Sequence, residues 1–459
     1  MNWKSLYPPI PDVPTVNFHD FLFERPAVRD QEDYTAFIDG PSGDRITFRQ
    51  VKERVADAAT ALDGIGLKNG QDIVGILSEN SIEFPILILA LLKLAVPFSL
   101  LPAYATEAEV STLVKLSKAT YIFASAKLYL LALRIAKERG TPADRIFTFG
   151  GQVNGVQSLA ELIDDVRTRK PPRVPSHPVQ DKTPAYLAFS SGTSGLPKGS
   201  YDCQFPLMKE ANSLPGVMIS HRNLYYSGMQ PMIVALTVSK VFMPPALNTP
   251  EGIPITLAAA PFYHAMGMHN GILRLLAQPG TAIIIPKWDV NLAFDMIKKY
   301  SPTNMTIVPS MIYQMVTSPR WETEDLSKLL SMGSGAAYLP PELRKKLLKG
   351  TPNVGYFYIG YGMSECTLAA ILTPFPLLFD GRFNNRPNMT GILLPGIEAR
   401  IVRDDGTLAA PGEPGELQVK SGTVGLGYWE NEKATREAFL EDGWLRTGDR
   451  FSADADGAF

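Results

Sequence analysis

Short apolar runs of strand character alternate with helical stretches along most of this chain, and that alternation constrains its fold more than any other feature. A strand covered on both faces reads as a continuous apolar run. The helix after it must cross back over the sheet, so the pattern predicts an α/β protein with parallel-rich sheets. Residues 72–78 read as a strand and 82–94 as the helix that follows. The same rhythm returns at 282–286 with 290–299, and at 305–308 with 310–317. Beyond Thr390 the texture changes to short strands at 398–403 and 416–421, separated by Asp-Asp-Gly and Pro-Gly-Glu-Pro-Gly turns, which predicts a small β-rich unit.

With 459 residues, the chain exceeds one ordinary core. The expected division is a first α/β subdomain at 1–180, a second at 181–390 and the β-rich subdomain at 391–449. Residues 450–459 then read as the start of a hinge. The stretch 170–178, Lys-Pro-Pro-Arg-Val-Pro-Ser-His-Pro, is too rich in proline for helix or sheet and reads as an extended connection. Residues 84–101 are the most membrane-like segment, but Pro85, Lys93 and Pro97 interrupt them, so they read as a buried helix followed by a strand. No stable membrane insertion is expected.

A formal net charge of −2 gives no electrostatic reason to expect nucleic acid as a partner. Two cysteines, Cys203 and Cys366, cannot form a multi-bridge framework, and the N-terminus has no apolar run of signal-peptide length. A cytoplasmic protein is the simpler reading.

The densest chemical signal is Tyr186-Leu-Ala-Phe-Ser-Ser-Gly-Thr-Ser-Gly-Leu-Pro-Lys-Gly199, an apolar run that opens into small, hydroxylated and glycine residues. Gly192, Gly195 and Gly199 allow close backbone approach and aim N–H groups at oxygens. Ser190, Ser191, Thr193 and Ser194 add hydroxyl donors, and Lys198 adds a charge. This composition suits phosphate. A nucleotide-hydrolase P-loop is excluded, because Pro197 precedes Lys198 and Gly199 follows it. A flexible Ser/Gly linker would not follow directly on an apolar strand.

That loop, with Pro261-Phe-Tyr-His264, Gly333-Ser-Gly-Ala-Ala337, Tyr361-Gly-Met-Ser-Glu365 and Gly443-Trp-Leu-Arg-Thr-Gly-Asp449 in order behind it, resembles the adenylate-forming superfamily. Its members include 4-coumarate:CoA ligases, acyl-CoA synthetases, luciferases and peptide-synthetase adenylation domains. Further matches at Gly75-Ile-Leu-Ser-Glu-Asn80 and at 391–402 extend the resemblance over nearly the whole chain. It implies the family's large N-terminal domain and activation of a carboxylic acid by ATP as an acyl-adenylate, followed by transfer to CoA.

By that resemblance Lys198 and the loop from Ser190 to Gly195 hold phosphates, Ser364 contacts the α-phosphate, and Glu365 with Thr193 holds Mg²⁺. Asp449 accepts from the ribose hydroxyls. Gly335, Ala336, Ala337, Ile359, Gly360, Tyr361 and Gly362 border the nucleotide, while Tyr263, His264, Gly335, Gly360 and Met363 border the acid. The residue types suit these roles: a carboxylate is a hard ligand for Mg²⁺ and a two-oxygen acceptor for a diol. Ile359 stands where many members carry a polar residue, so that side-chain contact is not expected. The segment after Tyr263 lacks the aspartate that peptide-synthetase domains present to an α-amine, which favours a simple aryl or medium- to long-chain acid.

Residues 200–216 separate Lys-Gly from Val217-Met-Ile-Ser-His-Arg-Asn223, which directly follows it in close relatives. The segment reads as a retained in-frame intron of the short kind found in fungi, with fungal-type secondary or lipid metabolism as the context. A second departure is that the chain stops at Phe459, where relatives enter a hinge and a smaller C-terminal domain, so weak turnover is expected. Two other readings compete with the ligase: a luciferase-like oxidative enzyme, and a fragment that binds ATP or acid without efficient chemistry. Peroxisomal placement stays open for a longer form.

Overall fold

The computed structural model describes residues 1–25, 32–189, 216–384, 386 and 388–459. Within them the expected alternation closes into two large sheets and one small one. In the first, Ile146–Thr148, Tyr121–Ala124, Val74–Leu77, Phe98–Leu101 and Pro184–Phe189 lie side by side and parallel, with Gly216–Ser220 antiparallel at the edge. Val74–Leu77, Phe98–Leu101 and Tyr121–Ala124 are buried at every residue, which explains their continuous apolar sequence.

Six parallel strands form the centre of the second sheet: Tyr356–Tyr361, Ser331–Gly335, Asn304–Ile307, Ile255–Ala258, Thr281–Ile284 and Thr35–Asp39. Antiparallel strands Arg45–Thr47, Ile371–Leu372 and Ile392–Leu393 finish its two edges. The third sheet is antiparallel, in the order Asn2–Lys4, Glu398–Val402, Gly415–Lys420, Leu445–Phe451.

Local signals place the helices. Thr47 with Gln50, Thr106 with Glu109 and Ser158 with Glu161 each form a reciprocal capping box at the start of Phe48–Gly64, Glu107–Ser117 and Leu159–Arg169. Glu83–Lys93 is buried from Phe84 to Leu92, wedged among neighbouring elements, and Phe98–Leu101 follows it as a strand. The proline-rich stretch at 170–178 is extended and serves as a strap: Arg173 pairs with Asp57 (2.8 Å), and the His177 amide donates to the Lys93 carbonyl (2.9 Å).

Sheet membership departs from the divisions expected at 180 and 390. Strands Thr35–Asp39 and Arg45–Thr47 belong to the second sheet, Pro184–Phe189 and Gly216–Ser220 to the first, and Asn2–Lys4 to the third. The chain threads back and forth, so two walls of any cleft between the sheets come from distant sequence. Asn80 makes one such tie: its side-chain amide donates to the Ala260 carbonyl (3.0 Å) and its oxygen accepts from the Phe262 amide (2.7 Å). No helix among the described residues is long and apolar enough to cross a membrane.

Candidate active site

Among the described residues, the motifs at 333–337 and 361–365 lie where parallel strands end. In open α/β sheets this is where ligands bind, because the carboxyl ends of adjacent strands diverge into loops and leave a crevice. Ser331–Gly335 and Tyr356–Tyr361 run in parallel register with Gly335 opposite Gly360. A side-chain carbon at Gly335 would lie 2.9 Å from the Gly360 carbonyl, so glycine is required for the two strand ends to approach. Beyond Gly335 the chain turns through Ala336 at φ 66°, and Ala336 and Ala337 form an exposed rim.

The neighbouring strand leads into the acidic pole. At Gly362 a side-chain carbon would fall 1.8 Å from the Leu368 carbonyl, because the backbone doubles back tightly there. Ser364–Cys366 makes one 3₁₀ turn. It ends at Thr367, whose φ of 65° and ψ of −42° and whose Leu368 N–H bond to the Cys366 carbonyl (2.7 Å) make a γ-turn of the rare, strained hand. A β-branched residue pays dearly for positive φ. The buried Thr367 hydroxyl compensates by donating to the Thr423 carbonyl (2.6 Å). The strained turn thus fixes Glu365 just ahead of it.

Glu365 is buried, and one of its oxygens accepts from the Tyr428 hydroxyl (2.9 Å). Burial, with the nearby Asp449 charge, pushes its carboxyl above the usual range. Asp449 sits on the last strand of the small sheet. Between the pairs Arg446–Gln418 and Arg450–Glu416, that strand has three residues where its partner has one, and this bulge re-aims Asp449. Asp449 accepts from the Tyr361 hydroxyl at 2.7 Å. Burial and the Asp449 charge hold the Tyr361 hydroxyl protonated, so it remains a donor. The hydrogen bond joins the third sheet to the second across 88 residues of sequence.

Tyr263 and His264 form a separate wall. Their rings lie 4.8 Å apart at the start of the helical turn Ala265–Met268, and burial lowers the His264 pKa and raises that of Tyr263. Gly267 lets this turn press on the preceding loop, since a side-chain carbon there would meet the Pro261 carbonyl at 2.0 Å. A cavity of about 20 Å³ bounded by Ala260, Met266, Gly267 and Thr306 lies between this wall and the second sheet.

Of the residues marked in the sequence, Tyr361, Ser364, Glu365 and Asp449 form one cluster, with Gly335, Ala336, Ala337, Ile359, Gly360, Gly362 and Met363 on adjoining backbone. Ile359 packs its side chain against the apolar core. Ser190, Ser191, Gly192, Thr193, Ser194, Gly195 and Lys198 lie outside the described residues, as does Cys203. The ends of that segment are described: Phe189 pairs with Gly216 across an antiparallel hairpin. Tyr428 and Thr367 carried no signal in the sequence, because each acts through a contact made only on folding.

A cleft of about 1110 Å³ lies elsewhere and is bordered by Arg45, Arg54, Asp57, Glu83 and Arg173. Within it Arg54 pairs with Glu83 and Arg173 with Asp57. Size alone therefore does not locate the chemistry.

A family model described as AMP-binding enzyme matches residues 23–201 and 215–429. The interval between those segments falls inside the stretch that interrupts the phosphate loop. A probable CoA ligase of Humulus lupulus is 28% identical over 92% of this chain and 70% of its own length. An acyl-CoA synthetase of Caenorhabditis elegans is 34% identical over 59% of this chain and 45% of its own. In fold, the chain is similar to a long-chain-fatty-acid-CoA ligase of Archaeoglobus fulgidus. The TM-score is 0.78 at 21% identity, with 99% of this chain and 86% of that one covered.

Proposed function

The chain belongs to the AMP-binding enzyme family, whose members here are AMP-forming acid:CoA ligases, and from that premise we propose how its own residues divide the work and which acids it takes. The observation that carries the reading is the cluster of Tyr361, Glu365 and Asp449. It brings two carboxylates and a phenol from two sheets to the ends of parallel strands, the place where open α/β sheets bind ligands.

Joining a carboxylate to the α-phosphate of ATP brings two anions together while pyrophosphate leaves, so cations and donors must offset the repulsion. In this reading Lys198 and the hydroxyls and amides from Ser190 to Gly195 hold the phosphates, and Ser364 donates to the α-phosphate. Asp449, held in place by the Tyr361 hydroxyl, accepts from the ribose diol. Gly335, Ala336 and Ala337 line the adenine side, Gly360 and Met363 the reacting centre. Tyr263 and His264 border the acid, and burial keeps His264 neutral beside the reacting carboxylate.

Mg²⁺ suits Glu365, with Thr193 assigned beside it by the motif resemblance: a buried carboxylate whose acidity is suppressed is short of positive charge, and Mg²⁺ is commonly held by one or two carboxylates together with substrate phosphates. The ion would supply charge neutralisation of the phosphates. We assign the acid to an aryl or medium- to long-chain class, with CoA as the acceptor and the cytoplasm as the compartment. The test is acid-dependent exchange of labelled pyrophosphate into ATP. Exchange that requires an acid, with AMP released once CoA is added, supports the reading; release of ADP, or nucleotide binding with no exchange across a broad set of acids, overturns it.

A further inference from the structure

Arg274 follows the helical turns Ala265–Met268 and His269–Leu273, on the same run that begins at His264. It stands further along that run than His264, past both helical turns. It is closely surrounded by protein yet keeps some accessible surface, as does Tyr358.

Its contacts are unusual for a buried cation. Nη2 donates to the Ser227 hydroxyl (3.2 Å) and to the Gln230 side-chain oxygen (3.1 Å), both neutral, and Nε is buried with no partner. Among the described residues no carboxylate pairs with it; the groups that act on its charge are Tyr358 and Tyr186. Those phenols are already engaged, Tyr358 with the Thr306 hydroxyl (2.6 Å) and Tyr186 with His269 Nε2 (2.9 Å). Burial lowers the Arg274 pKa to about 10, which leaves the group charged at neutral pH. An enclosed, unpaired charge is costly, and structures that retain one commonly reserve it for a ligand. Arginine presents a planar fork that a carboxylate matches with two hydrogen bonds.

We propose that Arg274 is the specificity residue for the far end of the acid, so that this chain takes dicarboxylic acids: one carboxylate beside His264 at the reacting end, the second on the Arg274 guanidinium. The assignment rests on the ligase reading above.

The test is calorimetric binding to the full chain of adipate, suberate and sebacate against hexanoate, octanoate and decanoate. The wild-type protein should bind the best diacid at least tenfold tighter than its matched monoacid. Arg274→Met should abolish or reverse that preference, and Arg274→Lys should retain part of it. Equal or tighter binding of the monoacids to the wild type, or an unchanged preference in a folded Arg274→Met, overturns the assignment. The wild-type ratio decides even if the variant does not fold. Pyrophosphate exchange with the same acids separates the two claims. Diacids that bind without exchange sink the ligase reading and leave Arg274 as a diacid site. Exchange with monoacids alone sinks the Arg274 assignment and leaves the ligase.

Discussion

Asp449 shows how a single carboxylate acquires a role. Many aspartates are solvated surface charges, whereas this one is bulged out of its strand and held by the Tyr361 hydroxyl. Replacing it with alanine should weaken AMP binding by about 1.5 to 3 kcal/mol, the range for hydrogen bonds to a charged group. Binding of bare pyrophosphate should change far less. Calorimetry with both ligands checks this, and equal losses would count against a ribose contact. His221 supports a prediction of a different kind. It is fully buried, its Nδ1 accepts from the Phe18 amide (3.1 Å), and burial lowers its pKa from 6.5 to about 3. The folded form therefore binds its proton less readily than the unfolded chain. The stability from neutral His221 is present above pH 6.5 and is lost as pH falls toward 3. The loss should approach about 1.4 kcal/mol per pH unit. In His221→Asn, whose oxygen can take the place of Nδ1, urea melts between pH 7 and 5 should show a shallower decline by about that slope. Among residues, those in the ordered motifs were singled out in the sequence by their types and order. Arg274, Thr367 and Tyr428 were not, because their meaning depends on which neighbours folding supplies or withholds.

At the scale of elements, the hairpin that carries the phosphate loop is fixed at both ends. Phe189 pairs with Gly216, and the outer strand is gripped from its other side, where the Met218 amide bonds the Gly427 carbonyl (2.9 Å) and the Trp429 amide bonds the Gly216 carbonyl (2.7 Å). The base of the hairpin does not depend on how many residues join it. Excising the stretch between Gly199 and Gly216, with the two glycines merged, should leave the fold intact. By loop-closure entropy it should stabilise the protein by only about 1 kcal/mol. The larger change should be tighter ATP binding, because phosphate donors work by being already aimed. A deletion that melts normally and binds ATP less well would show the segment to be a working part of the enzyme. Interior strands and the helices that follow them were legible from apolar runs, as at Val74–Leu77 and Glu83–Lys93. Asn2–Lys4 was not: a three-residue edge strand has almost no sequence signature, and it forms because Glu398–Val402 offers it a free edge.

For the whole molecule, class and sheet types followed from alternation, but the interleaving did not. Thr35–Asp39 enters the second sheet only because Thr281–Ile284 presents a parallel edge to it, a pairing separated by more than two hundred residues that no local pattern encodes. The account's central claim also lives at this scale: the nucleotide side, marked by Tyr361, Glu365 and Asp449, and the acid side, marked by His264, are two halves of one cleft. Equilibrium binding of an acyl-sulfamoyl adenosine, a stable mimic of an acyl-adenylate, tests this most directly. Linked halves bind jointly, so the mimic should bind on the order of a hundredfold or more tighter than AMP, with most of that gain lost in Asp449→Ala. A mimic that binds no tighter than AMP, whatever acyl group it carries, would contradict the account.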